Sequence, residues 1–488
     1  MTDGQTYNTL AIQKAIDSCA KQASQDSVGI VVFEDGRQYL SGTIKLASRV
    51  RLRIPKGTTL LAGDQRKAYG AEESTWYLVL ADGCTSCGIE GEGTIDGQAD
   101  KWVVKSSSGG GKTLRSFCPP PQECLPRLIG IRNSMQVSID GVRIVNAVHG
   151  AVHVVNSDAV AIMGVSVSSP MDLEHSGGLL VDGAKRMYIA SVEIETGGDA
   201  LHVQTLSDTV CESMLVENSV LQSRNSAIRV GDANKALIET LVFRNLVIHE
   251  SRSGVAVQLR DGGGMRDLQF VNITLATRLF TDVSEQATEP AGPVSVTVYP
   301  RMAGAPVGAL SNITFRNLSI SAEAGLVVAG VHKSSIDALV LDTIRLDLEQ
   351  STDFRGGRIQ PAQEDQRASI EVVPAVYLAH VNHATLQQVT VVFGDPARPE
   401  WGSSLELAPR TVHSLAVQGL MAHDESAHPY QAGESRPVTG PPNEQRLAAG
   451  DLRGREAEPP PLDMRRKQHI TTIPTWMLYG ATPRVPKG

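Results

Sequence analysis

Aromatic side chains make up only 4% of this 488-residue chain. Val, Ile and Leu must therefore fill most of its interior. No apolar run is long enough to cross a bilayer as a helix, so no membrane partner is expected. Positive charge is not in excess either: 45 Lys and Arg face 53 Asp and Glu, a net charge of −8. That balance excludes the basic footprint of a nucleic-acid-binding protein. Of six cysteines, Cys84 and Cys87 form one Cys-x-x-Cys without a second pair, which argues against zinc. Cys118 and Cys124 flank a proline-rich loop, where a disulfide and buried free thiols stand as equal readings. No secretory signal follows Met1.

What is abundant is glycine, with 45 residues, together with β-branched aliphatics. That mixture suits many short strands joined by tight turns. Length alone would allow several domains, but a repeat overrides that estimate because solenoids grow by stacking units. The repeat is apolar-x-apolar-x-x-apolar-x-apolar. It reads Val137, Ile139, Val142, Ile144, and then Val160, Ile162, Val165, Val167. It returns as Met187, Ile189, Val192, Ile194 and as Leu241, Phe243, Leu246, Ile248. Later copies are Leu268, Phe270, Ile273, Leu275, then Ile313, Phe315, Leu318, Ile320, and finally Leu339, Leu341, Ile344, Leu346.

Each copy reads as two short strands meeting at a bend, where Asn245, Asn272 and Asn317 recur. Asparagine tolerates the left-handed backbone such a bend requires. No single unit can bury its apolar face, but stacked units can, with parallel strands pairing about 4.8 Å apart. The expected fold is all-β: one right-handed parallel β-helix spanning 1–433. Asn8 is placed to cap a helix over about 8–22, carrying Ile12, Ala15, Ile16 and Cys19 inward, which would plug the open end. The stretch 434–488, rich in Pro and charge, reads as a loosely ordered tail.

A further short strand lies in each unit. Aligned on Val152, Leu179, Leu201, Ile228, Val257 and Val296, these strands place two columns outward by their period of two. One is Ala151, Gly178, Ala200, Ala227, Ala256 and Ser295. The other is His153, Leu180, His202, Arg229, Gln258 and Thr297. Minimal side chains beside His and Arg look like the floor and wall of a groove.

Several segments carry a resemblance. Asp3-Gly4-Gln5-Thr6, Gly91-Glu92-Gly93-Thr94-Ile95-Asp96-Gly97, Pro126-Arg127-Leu128-Ile129 and Arg260-Asp261-Gly262-Gly263 resemble blocks of the polygalacturonase family, glycoside hydrolase family 28. Members of that family cleave pectin-type polysaccharides on a pectin-lyase-like β-helix. The resemblance runs over about residues 2–420 and implies a secreted or cell-wall-associated protein. It also implies an inverting reaction, in which one carboxylic acid protonates the leaving oxygen while carboxylates activate water.

Carried onto this chain, most of the family's catalytic groups are replaced. Its Asn-Thr-Asp-Gly falls on His175-Ser176-Gly177-Gly178, so the Asp becomes Gly177. Its Gly-Asp-Asp falls on Gly197-Gly198-Asp199: the usual acid becomes Gly198, and Asp199 is retained. Ser226 replaces its histidine, and Ala256-Val257-Gln258 replaces its Arg-x-Lys. Asp199 is then the candidate base. Glu174 or Asp172, in the loop before the neighbouring strand, could supply a displaced acid. His153, His175, His202, Arg229, Gln258 and Arg260 are candidate substrate-binding residues, and Arg229 has the fork suited to a substrate carboxylate.

Three functions remain open on these residues. The first is hydrolysis of a pectin-like or other acidic polysaccharide. The second is silent glycan binding by the same groove. The third, ranked last, is a polysaccharide lyase, which needs Ca²⁺ held by clustered carboxylates that are not visible here. The expected partner is a polysaccharide or oligosaccharide bound by a monomer, with no cofactor and no metal.

Overall fold

The computed structural model describes residues 3–423, apart from 25–26, 71, 73–75, 109–112, 118–125, 175, 282–291, 303, 332–335, 355, 357–373 and 395–400. The tail at 434–488, His175, Cys118 and Cys124 therefore lie outside the described residues.

The repeat forms the coils of a right-handed parallel β-helix, a single 30-stranded sheet wound on itself. Equivalent repeat positions pair directly: Val137 with Val160, Leu241 with Leu268, Leu268 with Ile313, and Ile313 with Leu339. Their side chains form one continuous core that runs the length of the helix.

Between the recognised copies, one rung escaped the sequence pattern. Met214, Val216, Ser219 and Leu221 stand between the Met187 and Leu241 copies. Ser219 breaks the apolar period. It is nonetheless buried, donating its hydroxyl to the Glu217 carbonyl at 2.8 Å and accepting from Val192 N at 3.1 Å.

The bend asparagines behave as expected and extend by one rung. Asn218, Asn245, Asn272 and Asn317 have φ of 52°, 55°, 56° and 55°. Each amide donates to the previous one, at 3.2, 2.7 and 3.1 Å in turn. Inside the same coils Phe243, Phe270 and Phe315 stack, with ring centroids 4.9 and 4.8 Å apart.

The N-terminal helix spans Thr9–Gln22 and buries Ile12 and Ile16 against the first coils. Ala15 faces out, which corrects its expected place in the apolar face. Asn8 does precede the helix, but its side chain donates to the Thr6 carbonyl and does not cap the helix. Cys84 and Cys87 are buried in the core and joined as a disulfide, which accounts for the lone Cys-x-x-Cys.

Candidate active site in the groove

The groove strands pair in the order Ile129, Val152, Leu179, Leu201, Ile228, Val255, Val294. The sequence alignment on Val257 and Val296 is thus two residues out of register in the last two rungs. A one-residue slip would have turned every side chain over, whereas a two-residue slip keeps the faces and leaves no trace in the alternation. As a result Arg229 lies beside Ala256, and Gln258 lies beside Gly231. Arg229 thereby occupies the column of the family's missing arginine, one rung earlier.

The column expected to floor the groove is also corrected. Ala151, Ala200 and Ala227 are fully buried and belong to the core. Strict alternation fails where the chain leaves a bend, so Ala200 and Leu201 both pack inward in succession. The outward position at this bend is one residue earlier. Extending the pairing by two residues aligns Arg127, Gly150, Gly177 and Asp199 along the helix axis. A Cβ added at Gly150 meets nothing within 4 Å, and one at Gly177 meets its nearest atom at 3.4 Å. These two glycines form the open floor.

Asp199 stands at one end of that floor, its side chain 14% exposed. Arg229 Nε ion-pairs with its Oδ2 at 2.8 Å, and the Ser226 amide donates to Oδ1 at 3.0 Å. His202 Nδ1 is 3.7 Å from Oδ2. The other nitrogen of that ring donates to the Gly231 carbonyl at 2.9 Å, because a carbonyl can only accept. Arg229 is buried, with Nη1 donating to Gln258 Oε1 at 3.0 Å and Nη2 to Ser226 Oγ at 3.3 Å. Arg229 and Gln258 therefore position Asp199 from beneath and are absent from the lining of the cleft. This differs from the substrate-gripping role expected for them.

The cleft above the floor has a volume of about 240 Å³ and is lined by Arg127, His149, His153, Glu174, Asp199 and His202, among others. His153 accepts or donates through Nδ1 to the Tyr77 hydroxyl at 2.8 Å. Burial, aided by the nearby charge of Arg127, pushes its imidazole down to about 3, so it is neutral at physiological pH. Arg260 is elsewhere: it ion-pairs with Asp232 at 3.0 Å and stacks over Tyr299. Among the described residues no group of three His, Cys, Asp or Glu is arranged to hold a metal.

The loop at 170–174 packs against Gly197 and Gly198. A Cβ at Gly198 would come within 2.8 Å of the Glu174 carbonyl, and one at Gly197 within 2.3 Å of the Leu173 carbonyl. Ser176 secures the loop there, donating its hydroxyl to the Pro170 and Leu173 carbonyls and accepting from Gly197 N. Loop backbone thus occupies the space an acid at 198 would need. Glu174 is exposed and lines the cleft, whereas Asp172 is half-buried and does not.

Arg127, His149 and Asn225 also line the cleft and were not singled out as site residues. Arg127 had a signal, its place in the Pro-Arg-Leu-Ile block. His149 and Asn225 lie at bends, where period-two reasoning has no purchase.

The family model described as "Glycosyl hydrolases family 28" matches residues 24–282, just over half of the chain. The chain belongs to glycoside hydrolase family 28. Among curated members of this family, an endo-polygalacturonase of Pectobacterium carotovorum subsp. carotovorum is 28% identical over 209 residues, 40% of this chain and 51% of that protein. A probable polygalacturonase of Vitis vinifera is 26% identical over 218 residues, 42% of each. The matches span about half the length of these relatives. An exopolygalacturonase from Thermotoga maritima superposes with a TM-score of 0.61 at 15% identity, covering 80% of this chain and 89% of that one. The family 28 exopolygalacturonase of Yersinia enterocolitica gives 0.58 at 15% identity, covering 86% and 76%. At that identity the superpositions speak for the β-helix alone.

Proposed function

We propose that this family 28 member hydrolyses a glycosidic bond in a pectin-like, uronate-bearing glycan, with Asp199 as base and Glu174 as acid. In this reading the Glu174 carboxyl gives its proton to the leaving glycosidic oxygen. Asp199 takes the proton of a water that attacks the anomeric carbon from the opposite face. The observation carrying it is that the Glu174 backbone lies against Gly198 and that Glu174 lines the same cleft as Asp199. Asp172 lacks that access.

One observation favours the second reading, a silent glycan-binding groove. The Asp199 carboxylate is already engaged by Arg229 and the Ser226 amide, which leaves it less free to take a proton from water. Reducing-end release from oligogalacturonides, run beside calorimetric binding, separates the two. Asp199→Asn and Glu174→Gln are each expected to cut release by about 10²-fold or more. Unchanged release in either variant removes that residue from the mechanism. Binding by the parent protein without any release establishes the silent groove.

A further inference from the structure

The groove is electrically lopsided along its length. One end is lined by Asp199, its charge offset by Arg229, and by Glu174. The other end holds Arg127, three rungs away along the floor, or about 14 Å at one strand spacing per rung.

The arginines around the groove differ in what they face. Arg229, Arg260 and Arg301 are each tied to carboxylates. Arg127 forms no ion pair with any described carboxylate. Its guanidinium carbon is 6.0 Å from the centre of the Tyr77 ring, and its Nε has no hydrogen-bond acceptor among the described residues. Beside it His153 Nε2 is likewise without a partner, although His153 Nδ1 is engaged by Tyr77. A second polar ring atom without a partner therefore stands next to the cation. Buried donors left without acceptors cost free energy. Here the Arg127 Nε–H is one such donor, and its residue and His153 line the same open cleft. On the floor between this pair and Asp199 stand Gly150 and Gly177, and among the described residues no side-chain atom lies within 4 Å of where their Cβ atoms would be.

We infer that Arg127, supported by His153, seats a carboxylate of an acidic sugar, so that the groove selects an anionic chain three rungs from Asp199. The inference rests on the reading of this cleft as a glycan site and adds how the charge of the chain is recognised. An anionic sugar at the Arg127 end meets a guanidinium and a neutral imidazole, whereas at the opposite end it would meet Glu174. The geometry therefore fixes direction as well as charge. Recognition and bond cleavage are assigned to different ends of the floor, and a chain must cross both glycines to reach both.

The test is calorimetric binding of oligogalacturonides and of their fully methyl-esterified, uncharged counterparts. The parent protein is compared with Arg127→Ala, Arg127→Lys and Gly150→Val, each checked for folding by thermal unfolding. The parent is expected to prefer the acid form, and Arg127→Ala to weaken the acid form by about ten- to hundredfold while leaving the ester unchanged. Arg127→Lys should keep part of the preference, since the charge remains without the fork. Gly150→Val, whose added carbons have space, should fold normally and weaken both forms alike. An acid preference that survives in Arg127→Ala overturns the inference and leaves the glycan site standing. Unchanged binding in Gly150→Val removes the ligand from this floor. If the parent binds neither oligomer, the proposed function itself fails.

Discussion

Two walls of the same coil follow opposite rules. The wall of the bend asparagines repeats itself: asparagines stack from Asn218 to Asn317 over four rungs, and in the same coils phenylalanines stack from Phe243 to Phe315 over three. The groove wall does not repeat. Its outward row runs Arg127, Gly150, Gly177 and Asp199, four positions of three residue types. A solenoid is stable because each unit matches its neighbours. It can carry a site only where that match is given up, and here the cost falls on one strand per coil.

The strongest way to break this comparison is to attack the repeating wall. Phe270 is fully buried between two stacked rings. Phe270→Ala is expected to cost about 3–5 kcal/mol, read from urea unfolding, with a broader transition as neighbouring coils uncouple. A loss below about 1 kcal/mol would mean the stack does not hold the rungs together.

The groove wall can be tested by restoring what it lacks. Gly198→Asp returns the family's acid in name, but its Cβ would press on the Glu174 carbonyl at 2.8 Å. We expect a loss of about 1–3 kcal/mol and no gain in reducing-end release. A gain in release would show that the site lacked only its acid and that the loop can yield.

A third test concerns pH. His153 titrates at about 3 in the folded protein against 6.5 when unperturbed, so between those values the unfolded chain binds the extra proton. Its contribution to stability is whole above about pH 6.5 and declines toward pH 3, by up to ~1.4 kcal/mol per pH unit. His153→Gln should flatten that part of the urea midpoint–pH profile. Matching profiles would mean that water reaches the ring.

The repeating wall was legible because each repeat tests the others: seven copies of one pattern leave little freedom in register. Ser219 hid one copy, since a hydroxyl that bonds back to its own strand looks polar in a sequence and behaves as core. The groove was harder. Asp199, Glu174, His153 and His202 were singled out from strand alternation, a neighbouring loop and the family motifs, and they line one cleft. The floor was misplaced by one residue, because the bend puts Ala200 and Leu201 on the same side. The register beyond Ile228 slipped by two, because parity alone cannot detect an even shift. Arg229 was read as facing substrate, yet it turns under Asp199.

The sequence by itself determined that apolar residues recur once per coil and that side chains alternate along each strand. Those are properties of order along the chain, and periodicity carries them. The tertiary structure alone decided that the loop before Gly177 fills the space beside Gly198, that Arg229 neutralises Asp199, and that Arg127 shares a floor with it. Each of these depends on how far one coil is displaced against the next, a quantity set by packing between residues some 20 to 30 positions apart, which no local pattern records.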